Sequence, residues 1–304
     1  GTDRPANYDR LYYWMGNTLG NLGRYDEARK QLSRSLELSK LSENKEVACD
    51  ANSYLAQLDY MNGYFKRALV HAQESIQCLE GIVNQGRMAW AVAIKGMILS
   101  YLKGNTDWKQ FIEETQPLID SSGNDRARCF MMITMGRNFL YTGQYESLLN
   151  ISLSGVEIAR KIGDGIQSAA LLANAGQGAL YLERVGMALD LLREAEHEAK
   201  KIGHPLVLTY ARVSLARALL RSGNPEKAAF TAEELLKFTQ SLDLGPSLQG
   251  TLETNAEILA HRNPKDNAHI DGMMKQASTL LERTHSPWLK IQHLMARARI
   301  GLRL

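Results

Sequence analysis

A ladder of small residues runs through this 304-residue chain at a spacing of forty. Counting from the first member of the ladder, every fortieth position holds glycine or alanine. The eight positions are Gly16, Ala56, Gly96, Gly136, Gly176, Ala216, Ala256 and Ala296. Eight consecutive hits at one phase indicate one repeated unit, and a fixed period over the whole length predicts a single elongated solenoid, residues 1–304, whose core runs between neighbouring repeats.

Each repeat divides into two helices, here called A and B. In the first repeat, Tyr12 and Leu19 flank Gly16 on one apolar helix face, which predicts helix A over residues 7–22 and helix B from Asp26. The fold class predicted is all-α: a right-handed α-α superhelix of about seven helix-turn-helix repeats plus a C-terminal helix. The predicted repeats cover residues 5–44, 45–84, 85–124, 125–164, 165–204, 205–244 and 245–284, with a capping helix over 286–303.

The prolines test this division, because proline is tolerated in the first turn of a helix and disruptive in its interior. Only Pro117 falls inside a predicted helix. The prolines predicted at helix starts are Pro5, Pro205, Pro225, Pro246, Pro264 and Pro287.

The repeat resembles the tetratricopeptide repeat. That family's pattern has a small residue at its eighth position, which is the Gly16 series here, and a Gly-x-aromatic-x-x-Ala turn, as in the segment Gly63 to Ala68. Its small residue at the twentieth position is matched by Ala28, Ala68, Ala188, Ala228 and Ala268. The resemblance implies a concave groove, lined by the A helices, that binds a protein or peptide segment. Repeats of this length occur in signalling adaptors and in sensor arms of regulatory ATPases, transcription activators and cyclases.

Two middle repeats depart from the pattern. Trp108 and Leu148 stand where alanine is expected, and Pro117 lies in the third helix B. Since Trp108 cannot pack like alanine, helix B there is expected to move outward, slide or be short. Two interpretations stay open: drift in a tolerant middle repeat, or a bend or widened groove around repeats three and four.

The residue after each small position is rotated by about 100° on the helix and can face the groove. Seven of these eight residues are polar, and they supply amide and guanidinium groups that bind peptide backbone or carboxylates. The series is Asn17, Gln57, Met97, Arg137, Gln177, Arg217, Glu257 and Arg297. The alternative is that they are ordinary solvated positions of amphipathic helices.

Aromatic residues recur on the same helices. They are Tyr101, Tyr141 and Tyr181 near helix ends, and Trp90, Phe130 and Tyr210 near helix beginnings. Rings flanked by arginine and amide groups are typical of interface hot spots, although rings that pack between repeats give the same spacing. The best groove segment is predicted in repeats three to six, with polar contacts from Arg137, Asn174, Gln177 and Arg217.

Composition and motifs argue against other functions. The net charge of +3 is too small to indicate nucleic acid binding, no apolar run is long enough for a membrane span, and no leader pattern is present. Three cysteines without paired spacing favour a reducing, cytoplasmic setting. The segment His197-Glu198 begins like a zinc-protease motif, but Lys201 takes the place of its second histidine. We therefore expect no cofactor, metal site or catalytic activity, and the alternative is an all-helical toroidal enzyme.

The stretch from Arg283 to Leu304 contains five Lys or Arg residues and no acidic residue. It is interpreted as a capping helix over the last repeat, or alternatively as a membrane-surface or partner contact. The sequence as a whole predicts a non-enzymatic scaffold that binds a peptide or protein segment. The alternative is a ligand-sensing or regulatory arm of a larger multidomain signalling protein, so further domains of the same polypeptide are possible partners.

Overall fold

The computed structural model describes residues 8–81, 84–103, 105–242 and 245–302, and these residues form helices joined by short turns, without strands. The expected helix start at Pro5 lies outside the described residues. The helices are α1 (Tyr8–Asn21), α2 (Tyr25–Leu41), α3 (Lys45–Met61), α4 (Phe65–Leu79), α5 (Gln85–Leu102), α6 (Asn105–Ser121), α7 (Asp125–Tyr141), α8 (Tyr145–Lys161), α9 (Gly165–Tyr181), α10 (Val185–Ile202), α11 (Pro205–Arg221), α12 (Pro225–Gln240), α13 (Gly245–Arg262), α14 (Asn267–Glu282) and α15 (Pro287–Gly301). The all-α helical-repeat fold class is confirmed.

Two compact units divide the chain, residues 1–131 and residues 132–304, and their boundary falls inside α7. In both units the odd-numbered helices are the A helices and the even-numbered helices are the B helices. A helix starts every twenty residues from Tyr25 to Gly245.

Local sequence sets these starts and ends. The side chains of Asn44, Asn84 and Asp164 each accept a hydrogen bond from a backbone N–H of the first turn of the helix that follows. At the end of α3, Gly63 has φ of 80°, a left-handed conformation that glycine adopts without a Cβ clash. The sharp A-to-B turn therefore follows from the glycine that the repeat pattern predicted.

The small-residue ladder brings helices A and B of one repeat into close contact. A Cβ on Gly16 would lie 2.6 Å from Leu32 Cγ, and one on Gly176 would lie 2.5 Å from Leu192 Cγ. In both pairs the contacted leucine is sixteen residues further along, on the B helix of the same repeat. A larger side chain at the ladder position would push the two helices apart.

Helix α6 shows how the third repeat accommodates Trp108. This side chain is buried, and its Nε1 donates a hydrogen bond of 3.2 Å to the backbone oxygen of Gly96. A Cβ on Gly96 would meet Phe111, fifteen residues along instead of sixteen. Helix α6 is as long as α8 and contains Pro117, so the contact is offset by one residue and the helix is not shortened.

The seventh repeat carries a longer turn. Helix α13 ends at Arg262 and α14 begins only at Asn267, so Pro264 lies in the turn and not at a helix start as predicted. Ala268 is exposed, which corrects its predicted packing role, and Ile270 is buried in its place. The extra residues shift all that follows by two positions. Helix α15 consequently begins 42 residues after α13.

A buried carboxylate ties three helices of the first unit together. The Asp59 side chain on α3 is fully buried and binds Arg29 of α2 and Arg67 of α4. Arg67 Nε donates to Asp59 Oδ2 at 2.8 Å, and this hydrogen bond raises the pKa of Arg67. Because each arginine comes from a different B helix, the carboxylate joins neighbouring repeats.

Candidate binding surface

The A helices of the second unit lie side by side and are joined by side-chain hydrogen bonds. Asn174 Nδ2 on α9 donates to the Ile133 backbone oxygen of α7 at 3.3 Å. On α15, His293 Nδ1 lies 2.9 Å from Glu253 Oε1 of α13, and both side chains are almost fully buried. The predicted groove series therefore lies along a layer of adjacent A helices in this unit.

A polar seam between α9 and α11 uses several predicted contact residues internally. Tyr210 OH donates to Asn174 Oδ1 at 2.6 Å, and Gln177 Nε2 donates to Ser214 Oγ at 2.8 Å. Asn174 is only 1% exposed. Its predicted role as a direct polar contact is thus corrected to a supporting role, whereas Gln177 and Tyr210 remain partly exposed.

Arg217 on α11 has a different environment from Asn174, Gln177 and Tyr210. It follows Ala216 on α11 and is partly buried, and its Nε atom is buried without a hydrogen-bond partner. In the described part of the chain no acidic side chain pairs with it, whereas Glu257 of the same series accepts a hydrogen bond of 3.0 Å from Arg299 Nε. Arg217 is therefore a guanidinium group whose charge is not compensated by any side chain among the described residues.

An aromatic ring on α9 lies close to Arg221, which follows Arg217 by one turn on α11. Tyr181 stacks on Tyr145 of α8, with ring centroids 4.8 Å apart and planes 12° from parallel. The guanidinium carbon of Arg221 lies 5.8 Å from the Tyr181 ring centroid, and Arg221 Nη1 also binds Glu183 at 2.7 Å. Tyr181 is fixed by these contacts and keeps part of its surface exposed.

The first and last A helices of the second unit also meet. Tyr141 at the end of α7 stacks on Trp288 at the start of α15. Both rings are partly exposed, and Arg137 lies one turn before Tyr141 and is likewise partly exposed. Tyr141 is therefore engaged within the unit, and the stack brings the two ends of the A-helix layer together.

The two-residue shift after Arg262 changes the last member of the groove series. Arg297 was predicted from the forty-residue spacing, but Arg299 makes the contact to Glu257 on the neighbouring A helix. The small residue that precedes Arg299 is Ala298. Ala296, which the forty-residue spacing predicted for this position, packs instead in the buried cluster with Ala256 and Ile270.

In the first unit, the predicted residues separate into exposed and buried ones. Trp90 packs against Phe130 with ring centroids 5.1 Å apart, and the Arg126 guanidinium lies 4.8 Å from the Trp90 ring centroid. Tyr101 is only 8% exposed and packs on Phe65, with centroids 4.5 Å apart, so it is a core residue and not surface for a partner.

The two amide residues of the first unit are partly exposed. Asn17 Oδ1 accepts a hydrogen bond of 3.0 Å from Asn21 Nδ2, and Gln57 Nε2 donates to the Ser53 backbone oxygen at 3.4 Å. Burial raises the pKa of the adjacent Tyr13 phenol, and its hydrogen bond with Asn17 opposes that shift. These amides retain surface, while Met97 of the same series is buried.

One titratable group supports the start of α11. His204 is buried, and its Nδ1 accepts a hydrogen bond of 3.4 Å from the Val207 backbone N–H, which caps the helix that carries Arg217. Burial lowers the pKa of His204 below its ordinary value, while its backbone hydrogen bond and the charge of Asp164 oppose that shift. The neutral imidazole is the form that accepts the cap bond.

The partners that hold these residues were not predicted from the sequence. Tyr145 is the aromatic residue of the repeated Gly-x-aromatic turn, but that pattern does not show that it stacks on Tyr181. Ser214 and Trp288 carry no repeat signal, and the hydrogen bonds between A helices join residues 36 to 42 apart and not forty throughout. Among the partner residues, only Arg299 could have been predicted from the sequence, by allowing for the two extra residues of the turn around Pro264. Within the described ranges, no three His, Cys, Asp or Glu side chains form a metal-binding group, and no helix has the length and apolar character that crossing a bilayer requires.

A family model described as tetratricopeptide repeat matches residues 9–40. No match was found among curated proteins. One similar solved structure is a Signal Transduction ATPase with Numerous Domains (STAND) protein with a tetratricopeptide repeat sensor, from Pyrococcus horikoshii. It is 15% identical at a TM-score of 0.59, and the match covers 98% of this chain and 47% of that one. This chain thus spans about half the length of the ATPase.

Another similar structure is a Rap protein complexed with competence and sporulation factor. It is 12% identical at a TM-score of 0.59, with 98% of this chain and 100% of that one covered. The matched repeat and the shared fold confirm the resemblance to tetratricopeptide repeats that the sequence predicted. At these identities the two structures establish the fold alone.

Proposed function

We propose that this chain is a non-enzymatic interaction module that binds a peptide or protein segment along its A helices, with Arg217 holding a carboxylate of that segment. The observation that carries the proposal is the uncompensated, partly buried guanidinium of Arg217. The proposal assigns no catalytic residue, cofactor or metal. Tetratricopeptide-type folds generally serve as interaction modules without catalysis.

The energetics favour a charged occupant. A buried N–H without an acceptor costs about 1–3 kcal/mol, and the Nε group of Arg217 is such an N–H in the free chain. A carboxylate suits the site best, because the guanidinium group can bind both of its oxygens in a planar pair. Arg221, an exposed arginine one turn after Arg217 on α11, is already paired with Glu183.

Helix α11, which carries Arg217, and the neighbouring helix α9 supply further contacts. Gln177, Tyr181 and Tyr210 are partly exposed and are fixed by internal hydrogen bonds or stacking. Side chains held in place lose little conformational entropy on binding. Asn174 contributes by orienting Tyr210. In the first unit, Trp90 and Phe130 form a separate partly exposed aromatic pair that suits an apolar side chain.

Among the comparisons, the Rap protein supports this proposal, because a structure with the same fold over its whole length is complexed with another molecule, competence and sporulation factor. This comparison supports binding of another molecule as the mode of action of the fold.

Affinity capture followed by mass spectrometry tests the proposal. The wild-type chain is compared with Arg217→Ala and with the matched control Arg193→Ala, which removes an exposed arginine from a B helix. We expect at least one protein to be retained by the wild type and the control and lost with Arg217→Ala. Loss of one charged hydrogen-bonding group is expected to weaken binding about 10- to 100-fold. Retention of the same proteins by all three chains contradicts the proposal.

A second candidate function is a sensor arm of a larger signalling protein. It is favoured by the STAND protein, whose tetratricopeptide repeat sensor belongs to a chain about twice as long as this one. Here the expected result is a rise in melting temperature with a small effector, since a ligand that binds only the folded chain stabilises it. A metabolite-dependent rise that persists in Arg217→Ala, without protein capture, separates this function from the first.

A further inference from the structure

Two free cysteines lie side by side in the second repeat, Cys49 on α3 and Cys78 on α4. Cys49 is 1% exposed and forms a buried cluster with Leu79 and Ala91, and Cys78 packs against this cluster. Burial raises the pKa of the Cys49 thiol, and its interaction with the Cys78 thiol raises that pKa further. Cys78 is partly exposed, so the pair consists of one buried thiol and one thiol that solvent reaches.

Hydrogen bonds hold the backbones of α3 and α4 close together beside this pair. Ser75 Oγ on α4 donates to the Cys49 backbone oxygen at 3.0 Å, and it lies 2.7 Å from Ser53 Oγ on α3. Residues three or four apart share a helix face, so Cys78 lies on the face of α4 that carries Ser75. A disulfide needs Cα atoms within about 7 Å of each other, and close helix packing brings cysteines into that range.

The composition of the cluster suits a disulfide better than a metal ion. A structural zinc site takes four ligands and a catalytic one takes three from the protein. In the part of the chain that the structure describes, no three His, Cys, Asp or Glu side chains are grouped in this way. The third cysteine, Cys129, is buried on α7 and lies outside the cluster.

We infer that Cys49 and Cys78 form a redox-sensitive dithiol, which a peroxide closes to a disulfide between α3 and α4. The inference is independent of the proposed role of Arg217. It assigns a different task to each thiol, because only Cys78 is accessible to a reagent in solution. The disulfide would join the A and B helices of one repeat covalently.

The reaction proceeds in two steps with hydrogen peroxide as the oxidant. The Cys78 sulfur attacks one peroxide oxygen, the O–O bond breaks, and Cys78 becomes a sulfenic acid as one water leaves. The Cys49 sulfur then attacks the Cys78 sulfur, the S–S bond forms, the S–O bond breaks, and a second water leaves. The two thiols supply two electrons and two hydrogen atoms in all, and the peroxide is reduced to two waters.

The neighbouring thiol also protects Cys78 from irreversible damage. A sulfenic acid without a thiol beside it is oxidised onward to a sulfinic acid, which thiol reductants do not reverse. A disulfide is reopened by thiol–disulfide exchange. The arrangement of the two cysteines thus makes oxidation of the second repeat reversible.

Mass spectrometry of the folded full chain tests the inference. The chain is treated with hydrogen peroxide and unfolded, and its remaining thiols are alkylated. We expect one alkylated cysteine instead of three, a chain lighter by about 2 Da before alkylation, and linked tryptic peptides that carry Cys49 and Cys78. Dithiothreitol should restore three alkylated cysteines. Three alkylated cysteines after peroxide, sulfinic acid at Cys78 in place of the disulfide, or a disulfide between two chains overturns the inference.

Three variants assign the steps, and circular dichroism verifies that each is folded. In Cys49→Ala, Cys78 is expected to stop at the sulfenic acid, which dimedone labels. In Cys78→Ala, Cys49 is expected to stay reduced because it is buried. Cys129→Ala is the matched control and is expected to form the disulfide as the wild type does. Loss of the disulfide in Cys129→Ala, or oxidation of Cys49 in Cys78→Ala, contradicts the assignment.

Discussion

Trp288 stacks on Tyr141 with ring centroids 4.9 Å apart and planes 9° from parallel. The contact joins the beginning of α15 to the end of α7, two A helices that have α9, α11 and α13 between them in the chain. One aromatic pair thus connects the first and the last A helix of the second unit.

A double-mutant cycle measures the strength of the stack. Replacing Tyr141 by Leu and Trp288 by Leu, singly and together, is expected to give a coupling free energy of about 0.5–1.5 kcal/mol, the usual contribution of an aromatic pair beyond its burial. Denaturant unfolding of the four proteins provides the values. Additive effects of the two substitutions would show that the rings do not stabilise each other.

Asp59 is expected to be a strong determinant of stability in the first unit. Asp59→Asn leaves Arg29 and Arg67 without their buried carboxylate, and breaking such a group typically costs about 3–5 kcal/mol. Glu226→Gln breaks the pair that Arg262 forms with a 77% exposed side chain and is the control, with an expected loss below about 1 kcal/mol. The unfolding free energies of the two variants are compared by thermal and denaturant unfolding. Equal losses of unfolding free energy would contradict the role assigned to Asp59.

The cap of α11 predicts a dependence of stability on pH. Because burial lowers the pKa of His204 in the folded chain, the unfolded chain binds more protons below the ordinary value of 6.5. The stability that neutral His204 contributes is complete above that pH and is lost as the pH falls from 6.5 to the lower folded pKa. His204→Asn retains a capping side chain that does not titrate. Its unfolding free energy should fall less steeply over that range, and parallel pH profiles would exclude His204 as the cause.

Two glycines on neighbouring helices offer a direct comparison of close packing. Gly176→Ala places a Cβ 2.5 Å from Leu192 Cγ and is expected to destabilise the chain by about 1–3 kcal/mol. Gly186→Ala, at a helical position where the new Cβ meets no atom within 4 Å, is expected to be stabilising by about 0.4–1 kcal/mol. Unfolding midpoints of the two variants should move in opposite directions. Movement in the same direction would refute the packing explanation of the ladder.

The forty-residue ladder predicted the fold because close A-to-B contact requires a small residue at Gly16 and at Gly176. It failed after Arg262, where a longer turn at Pro264 shifts the register by two, so that Arg299 and not Arg297 makes the contact to Glu257. Periodicity also cannot tell a polar residue on a surface from one bonded to the next helix. Asn174 was predicted as a contact and is buried, because Tyr210 of α11 supplies its hydrogen-bond partner.

The claim that Arg217 binds a carboxylate is tested most directly by a double-mutant cycle across the interface. The segment recovered from the captured partner is synthesised with each of its acidic residues in turn replaced by the corresponding amide, and each peptide is titrated into the wild-type chain and Arg217→Ala. For one acidic residue, we predict a coupling free energy of about 1.5–3 kcal/mol. Additive losses for every acidic position would contradict the account.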